Sequence, residues 1–259
     1  MTTIGWIGTG NMASAILQGI VRQSREFEML AWSPHLKEKT GFPAQACADN
    51  AEVARRSDVL FLAVKPYKME EVLHEIEKSL APSTLIITVA VALPLSWYHQ
   101  YLNDNAIIRA MPNTCARVLE GFTALCADQR VSEDQLALAQ RLFEMSGTVR
   151  QVNESQMDIV SALTGSSPAL LYMLLEAMGD IGVKYGLSRS EAYAMAAQAM
   201  KGAGAMILET QTHPAILKDQ VCSPSGTTIV GVQRAEQQGL RQAMMQALDA
   251  IIEKTMTLR

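Results

Sequence analysis

The sequence predicts an α/β domain followed by an all-helical domain. Three observations carry this prediction: short apolar runs alternate with helical patterns as far as residue 153, a glycine-rich turn follows the first run, and no strand-like run occurs later. Near-continuous apolar strands separated by helices are typical of a parallel sheet covered on both faces. We therefore predict two domains, residues 1–153 and residues 154–259.

The first strand and its turn carry the most specific pattern of the N-terminal domain. An apolar run at residues 1–8 leads into the segment GTGNMA at residues 8–13, and apolar residues then recur at helical spacing. This is the G-x-G-x-x-G/A fingerprint in its strand-turn-helix context. Gly8 would permit the tight turn, Gly10 would let the backbone approach a pyrophosphate, and Ala13 would allow close helix packing. The fingerprint predicts a Rossmann-like, doubly wound sheet that binds a dinucleotide; a tight turn without a ligand is the alternative.

The remaining elements follow from the same patterns. Further strands are predicted at residues 27–32, 59–64, 85–92, 106–110, 121–126 and 148–152. Helices are predicted between them at residues 68–80, 94–102 and 133–145. Long helical patterns make up the second domain, at residues 168–185, 190–209 and 240–256.

The helices of the second domain are apolar almost all round. Residues 194–205, for example, contain no polar side chain except Gln198 and Lys201. A helix of this kind is buried on more than one side. A domain this small cannot bury all of these faces alone, so we predict a homodimer formed through the C-terminal helices.

Composition excludes several classes of protein. The chain has 259 residues, 49% hydrophobic residues and a net charge of −4 without a basic block, so we expect a folded protein that binds neither nucleic acid nor membrane. The cysteines lack metal-site spacing, which predicts free thiols and no metal; they are Cys47, Cys115, Cys126 and Cys222. The N-terminus does not resemble a signal peptide, and the apolar runs stop short of a membrane span. These features together predict a cytoplasmic protein.

The end of the second strand bears on the choice of cofactor. An enzyme that uses NAD usually places Asp or Glu there, to accept a hydrogen bond from the ribose 2′-OH. Here the chain has no such carboxylate, and we expect Ser33, His35 and Lys37 to surround a 2′-phosphate. NADP(H) is therefore the preferred cofactor and NAD(H) remains possible. For His35 and Lys37, a solvated loop charge is the alternative interpretation.

Other polar segments lie where ligands of such sheets bind. The segments at residues 63–66 and 109–114 follow predicted strands, so Lys65 and Asn113 are candidates to approach the nicotinamide ribose or the phosphates. Hydrogen bonding to loop backbone groups is the alternative for both residues. In the second half, the hydroxyl-rich loop CSPSGTT at residues 222–228 lies between two helical patterns. Hydroxyls and free N–H groups at a helix start suit the binding of a carboxylate.

Five segments, in this order, resemble the pyrroline-5-carboxylate reductase family and together span nearly the whole chain. They are GTGNMA at 8–13, AVKP at 63–66, RAMPNT at 109–114, GSSPA at 165–169, and residues 213–228, which run from His-Pro to the hydroxyl-rich loop. The resemblance implies reduction of 1-pyrroline-5-carboxylate to L-proline by NAD(P)H, the final step of proline biosynthesis. It also implies domain-swapped homodimers, often five of them in a ring, in which the loop completes a site on the partner's cofactor domain.

The resemblance also implies site residues. The cofactor would contact Gly8, Gly10, Asn11, Met12, Ser33, Asn50, Ala63, Val64, Lys65, Pro66 and Asn113. The substrate would contact Ser223, Gly226, Thr227 and Thr228. We assign its carboxylate to the Ser223 hydroxyl and the N–H groups of residues 226–228, and its ring nitrogen to the Thr228 hydroxyl. N-capping of a helix is the alternative role for Thr227 and Thr228. Lys218 and Asp219 are expected to form a structural ion pair or to orient the loop.

The chain departs from the family pattern at five positions. They are Val91, Ala92, Cys115, Leu170 and Ser225. Ser225 replaces a glycine, which matters if that position needs a positive φ, because a side chain there costs roughly 1 kcal/mol. These departures keep two alternatives open: a diverged paralogue that reduces another cyclic imine or a 2-oxo acid, and a non-catalytic NADP-binding sensor.

Overall fold

The computed structural model describes residues 1–36, 42–102 and 104–257. The chain divides into two compact units. One comprises residues 1–165 with the C-terminal residues from Ile251 onward, and the other comprises residues 166–250. The first unit contains the β-sheet and the second is helical, which confirms the predicted fold class.

The sheet of the first unit has eight strands in the order β3-β2-β1-β4-β5-β6-β7-β8. The strands are β1 (Thr2–Ile7), β2 (Phe27–Trp32), β3 (Gln45–Ala46), β4 (Val59–Leu62), β5 (Leu85–Thr88), β6 (Ile107–Met111), β7 (Gly121–Ala127) and β8 (Gly147–Gln151). Strand β3 was not predicted, because a two-residue strand is too short to show any periodicity.

One pairing departs from the predicted parallel sheet. Strands β6 and β7 pair antiparallel, with Arg109 opposite Cys126, whereas every other neighbouring pair is parallel. Residues 112–120, which join these two strands, are too few for the crossover that a parallel pair requires. The sheet is therefore mixed, and the prediction of a wholly parallel sheet is wrong at this pair.

Among the described residues, six α-helices lie wholly within the first unit. They are α1 (Asn11–Gln23), α2 (Asn50–Arg56), α3 (Met69–Ile76), α4 (Leu95–Tyr98), α5 (Glu133–Glu144) and α6 (Met157–Val160). Helix α2 was not predicted, because its seven residues include only three apolar ones. Asp49 precedes it as the N-cap residue, and its side chain accepts a hydrogen bond from the Glu52 N–H.

The core of the first unit lies on both faces of the sheet, because alternate residues of a strand point to opposite sides. On one face, Trp6 stacks on Phe61 with 4.0 Å between ring centroids, and α1 and α5 cover them. On the other face, Leu60 and Leu62 pack against residues of α2, α3 and α4. Helices on both faces hold the ends of the strands in fixed positions, which is what a binding site at the sheet edge needs.

The second unit consists of α7 (Ser167–Lys184), α8 (Arg189–Thr210), α9 (Pro214–Val221), α10 (Thr227–Gln237) and most of α11 (Leu240–Met256). Its buried residues are Pro168, Gly179, Ala192 and Ala196. Large apolar side chains on every one of these helices are exposed instead, among them Met173, Met195, Leu208, Val221, Val230 and Met245. Apolar exposure on this scale marks an interface between proteins.

One helical stretch, Glu154–Lys184, is long and apolar enough to cross a membrane by length and composition alone. The expectation that no segment reaches this length is therefore wrong. The predicted helix began at residue 168, but the helical path begins at Glu154 and continues through Pro168. Apolar helices also occur where an obligate dimer buries a large hydrophobic interface.

Candidate functional site

Strands β1, β2, β4, β5 and β6 are parallel, so their carboxyl ends lie along one edge of the sheet. Strand β1 lies between β2 and β4, and the order of the strands reverses at this point. Gly8 follows β1, and its N–H donates to the Trp32 carbonyl at 3.1 Å; Ala63 follows β4, and its N–H donates to the Ile7 carbonyl at 2.8 Å. Ligands of doubly wound sheets bind at this kind of switch point.

The glycine-rich turn has the geometry of a pyrophosphate-binding site. Gly8 has a φ of +92°, and a Cβ atom there would lie 2.6 Å from the Ala63 carbonyl oxygen. Gly10 precedes α1 with a φ of −63°, no side chain caps the helix, and a Cβ on Gly10 would meet no atom within 4 Å. The space beside Gly10 is thus open at the start of α1, where the first N–H groups of a helix and its dipole favour an anion.

The predicted contacts around this turn are unevenly exposed. Asn11 opens α1 and is exposed, whereas Met12 packs partly against the core. Ser33 follows β2, and its backbone carbonyl accepts a hydrogen bond from the Leu36 N–H at 3.0 Å. His35 lies exposed in the same turn. Lys37, the third residue predicted to surround a 2′-phosphate, lies outside the described residues.

Asn50 is buried at the start of α2, with 3% of its surface exposed. Its Nδ2 donates to Glu75 Oε2 at 2.5 Å, while its buried Oδ1 has no hydrogen-bond partner among the described residues. A buried acceptor without a partner is costly, so Oδ1 remains available to a donor on a ligand.

The segment after β4 leaves the sheet sharply. Ala63 and Val64 are half-buried, and Lys65 and Pro66 are exposed. Lys65 caps a single 3₁₀ turn, Pro66–Lys68, that leads into α3. The ammonium of Lys65 is thus on the surface at the same edge of the sheet as Gly8.

Asn113 follows β6 and is 7% exposed. Its Oδ1 accepts from the Phe122 N–H at 3.2 Å, and its Nδ2 donates to the Thr164 carbonyl at 2.9 Å. Both partners are backbone groups, as the alternative interpretation of this side chain, hydrogen bonding to loop backbone groups, requires; contact of Asn113 with a cofactor stays a prediction. Cys115, one of the departures from the family pattern, lies half-buried in the short 3₁₀ helix that follows Asn113.

Strand β5 is shorter than the predicted strand at residues 85–92. The prediction extended it to Ala92, but the strand stops at Thr88, and Ala92 has a φ of +72°. A residue of a strand does not adopt that angle. Ala92 therefore holds a side chain in a backbone conformation that favours glycine.

In the second unit, residues 222–228 form a tight turn followed by a helix start. The Gly226 N–H donates to the Ser223 carbonyl at 3.0 Å, with Pro224 and Ser225 as the central residues. Proline cannot adopt a positive φ, and Ser225 has a φ of +59°, so the turn is of type II. A Cβ on Gly226 would lie 2.3 Å from Ser223 Oγ, so a larger residue would force the Ser223 side chain to move.

Helix α10 begins directly after this turn. Gly226 is its N-cap residue and no side chain caps it, so the alternative N-capping role for Thr227 and Thr228 is wrong. Both threonines are exposed in the first turn of the helix, where their N–H groups have no acceptor within it. Lys218 and Asp219 on α9 form the predicted ion pair. The loop thus presents hydroxyls, free N–H groups and a helix dipole to solvent, which together suit a carboxylate.

Ser225→Gly is expected to stabilise the protein by about 1 kcal/mol, because glycine adopts a positive φ without the steric cost that a side chain carries. Thermal unfolding at fixed protein concentration measures the effect. Ser223→Gly, two residues earlier in the same turn, is the matched control and is not expected to stabilise. An unchanged melting temperature for Ser225→Gly would show that the turn carries no strain.

A buried polar network in the first unit was missed by the sequence analysis. Arg109 is 2% exposed and its Nη1 donates to Glu154 Oε1 at 2.6 Å; the same oxygen accepts from the Leu95 N–H at 2.7 Å. Nearby, Thr88 Oγ1 and the Tyr98 hydroxyl lie 2.6 Å apart, and burial raises the pKa of Tyr98 to about 12. An arginine inside an apolar strand was the available signal, since such a charge needs a partner.

Comparison with known proteins places these elements in a family. A pyrroline-5-carboxylate reductase of Methanosarcina acetivorans is 38% identical over 262 residues, covering 98% of this chain and 97% of that protein. The Escherichia coli pyrroline-5-carboxylate reductase is 39% identical and covers 97% of this chain and 96% of its own. This chain belongs to the pyrroline-5-carboxylate reductase family. Residues 154–258 match the family model for pyrroline-5-carboxylate reductase dimerisation, and residues 3–92 match that for NADP oxidoreductase, coenzyme F420-dependent.

Solved structures of this family have the same architecture. The crystal structure of Plasmodium falciparum pyrroline carboxylate reductase with NADP bound superposes with a TM-score of 0.91 at 29% identity. It covers 99% of this chain and 97% of its own. This architecture confirms the expected Rossmann-like sheet and helical dimerisation region. The C-terminal helices of this chain form a homodimer.

Proposed function

We propose that this protein reduces 1-pyrroline-5-carboxylate to L-proline with NAD(P)H, the final step of proline biosynthesis. The observation that carries the proposal is identity of 38–39% over nearly the full chain with reductases named for this substrate. The helix starts at residues 10–12 and 226–228, which no side chain caps, support it, because one suits a pyrophosphate and the other a carboxylate.

NADP(H) is the proposed cofactor, with NAD(H) as the second choice. Its phosphates would bind the N–H groups at the start of α1, where Gly8 and Gly10 leave room, and Ser33 would face the 2′-phosphate. The other proposed contacts are Asn11, Met12, Asn50, Ala63, Val64, Lys65, Pro66 and the backbone around Asn113. When bound, the cofactor supplies the hydride that the imine carbon accepts.

The substrate loop needs only to bind and orient the imino acid, because a protonated imine is already a good acceptor. We assign the carboxylate to the Ser223 hydroxyl and the N–H groups of Thr227 and Thr228. The Gly226 N–H, which the sequence analysis also assigned to the carboxylate, donates within the turn, so the contribution of Gly226 is to permit the close approach of Ser223. The Thr228 hydroxyl is placed beside the ring nitrogen, where it holds a hydrogen bond during reduction.

The organisation of the enzyme follows from this assignment. Residues 1–153 are proposed as the cofactor-binding domain, and residues 154–259 as the dimerisation and substrate-binding domain. We further propose that five dimers assemble into a decamer and that the enzyme works in the cytoplasm. Light scattering, which measures the mass of the assembly in solution, separates a dimer from a decamer.

Oxidation of NADPH in the presence of pyrroline-5-carboxylate tests the proposed function, with NADH assayed in parallel. Loss of absorbance well above the substrate-free rate is expected with at least one cofactor. Turnover of a different imine or a 2-oxo acid alone would identify a diverged paralogue. Tight NADPH binding without turnover of any such compound would identify a sensor.

Thr228→Ala is expected to lower kcat by about a hundredfold while the affinity for NADPH stays unchanged, because only the hydrogen bond to the ring nitrogen is removed. Steady-state kinetics and a fluorescence titration with NADPH give the two quantities. Thr228→Ser keeps the hydroxyl and is expected to restore most of the lost turnover. An equal loss of NADPH affinity in Thr228→Ala would place this residue in the cofactor site instead.

A further inference from the structure

A widened helical turn precedes the helices of the second unit. Between α6, which ends at Val160, and α7, which begins at Ser167, the backbone makes a π-helical turn over Ser161–Ser166. Such turns arise where a regular hydrogen bond of the helix is interrupted. Pro168, the second residue of α7, is the cause we identify here.

Proline disturbs the carbonyl group four residues before it. Its ring clashes with that carbonyl, and it has no N–H to donate to it. For Pro168 this carbonyl belongs to Thr164, inside the widened turn. The Thr164 hydroxyl donates to the Val160 carbonyl, four residues earlier, at 2.8 Å. The backbone carbonyl of Thr164 accepts a hydrogen bond from outside this helix.

The partner of the Thr164 carbonyl is Asn113, 51 residues earlier in the chain. Its Nδ2 donates to that carbonyl at 2.9 Å, and its Oδ1 accepts from the Phe122 N–H. The amide of Asn113 is therefore held at both ends by backbone groups. The Asn113 carbonyl in turn accepts from the Ala116 N–H at 3.2 Å, which begins the short helix after β6.

We infer that Asn113 is a positioning residue. Pro168 leaves the Thr164 carbonyl without its partner in the helix, and the Asn113 amide donates to that carbonyl. The amide of Asn113 fixes the backbone from Met111 to Thr114 at the carboxyl edge of the sheet, and it does so through Thr164 rather than by touching the cofactor with its side chain. The inference rests on the proposed function, since this edge is the proposed nicotinamide side of the cofactor site. It assigns one joint role to the Asn113 side chain of RAMPNT and to GSSPA, neither of which has another role in the proposed chemistry.

Two substitutions break this link from opposite sides. Asn113→Asp keeps an acceptor for the Phe122 N–H but removes the Nδ2 donor. Pro168→Ala restores the N–H of residue 168 and removes the clash, so the helix reclaims the Thr164 carbonyl. Each variant is expected to lower kcat roughly ten- to hundredfold, because small misplacements near the reacting atoms have effects of that size. The KM for the imino acid is expected to stay within about twofold, since the substrate loop is unchanged.

The double variant separates positioning from general damage. Because both substitutions break one link, Asn113→Asp with Pro168→Ala is expected to lose no more activity than either alone. Pro82→Ala, in an exposed turn before β5, controls for the effect of proline on the unfolded chain. The melting temperature of Pro168→Ala is expected to equal or exceed that of Pro82→Ala. A lower kcat in Pro168→Ala would then not result from lower stability.

Hydrogen exchange of residues 111–122 provides a readout that does not depend on the reaction. Faster exchange is expected in Asn113→Asp and in Pro168→Ala, and not in Pro82→Ala. If the wild-type protein turned over no imine, the proposed function would fail and the exchange data would still test the link. Wild-type kcat and exchange in Pro168→Ala, or additive losses in the double variant, would overturn the inference.

Discussion

Gly10→Ala is expected to weaken NADPH binding by about a hundredfold, or about 2.8 kcal/mol, while the melting temperature of the protein stays unchanged. The φ of Gly10 is −63°, which alanine adopts without strain, and the new methyl group would meet no protein atom within 4 Å. The methyl group would instead occupy the space over the start of α1, where the pyrophosphate is proposed to bind. A fluorescence titration with NADPH and a thermal melt without cofactor measure the two quantities.

Gly8→Ala is the matched comparison and is expected to behave differently. Its φ of +92° and the Ala63 carbonyl oxygen 2.6 Å from the added Cβ predict a loss of about 2 to 4 kcal/mol of folding stability. Gly10→Ala would therefore lower the affinity for NADPH, whereas Gly8→Ala would lower the folding stability. Unchanged NADPH affinity in Gly10→Ala would mean that the cofactor does not bind over this helix start.

Glu154→Ala is expected to destabilise the first unit by about 3 kcal/mol, because it leaves the guanidinium of Arg109 buried without its carboxylate. The Leu95 N–H loses its acceptor in the same variant. For a domain of this size the melting temperature is expected to fall by roughly 6 to 12 °C. Differential scanning calorimetry, with the folded fraction followed by circular dichroism, measures the change.

Removing the charge together with its partner controls this prediction. Arg109→Met combined with Glu154→Met leaves no buried charge, so the double variant is expected to lose less stability than Glu154→Ala. If the single variant melts within about 1 °C of the wild-type protein, the ion pair carries no weight in the fold. Glu154 is about one-third exposed, so relaxation of Arg109 toward water would be the physical reason for that result.

Local features of the fold could be predicted from the sequence because they depend on neighbouring residues. The turn at Gly8 and Gly10 requires only particular backbone angles, which glycine permits, and the helices of the second unit require only apolar periodicity. The antiparallel pairing of β7 escaped prediction, because the direction of a strand depends on its connection and not on its apolar pattern.

The polar links could not be predicted for a different reason. Asn113 bonds to Thr164 and Arg109 bonds to Glu154, so each pair joins residues about fifty positions apart. No periodicity within either segment records such a partner. The prediction that Asn113 binds the cofactor rested on the hydrogen bonds that its amide can form. The sequence did not show that the Thr164 carbonyl and the Phe122 N–H already pair with this amide.

The near absence of buried residues in the second unit has a thermodynamic consequence. Within one chain these helices bury only Pro168, Gly179, Ala192 and Ala196 and expose large apolar side chains, so removal of that apolar area from water depends on the binding of a second copy. Folding of this half and association of the two chains are then a single equilibrium, and its midpoint shifts with protein concentration. The first unit has its own core on both faces of the sheet and is free of that dependence. Dilution alone would unfold the helical half of this enzyme while the cofactor-binding half remained folded.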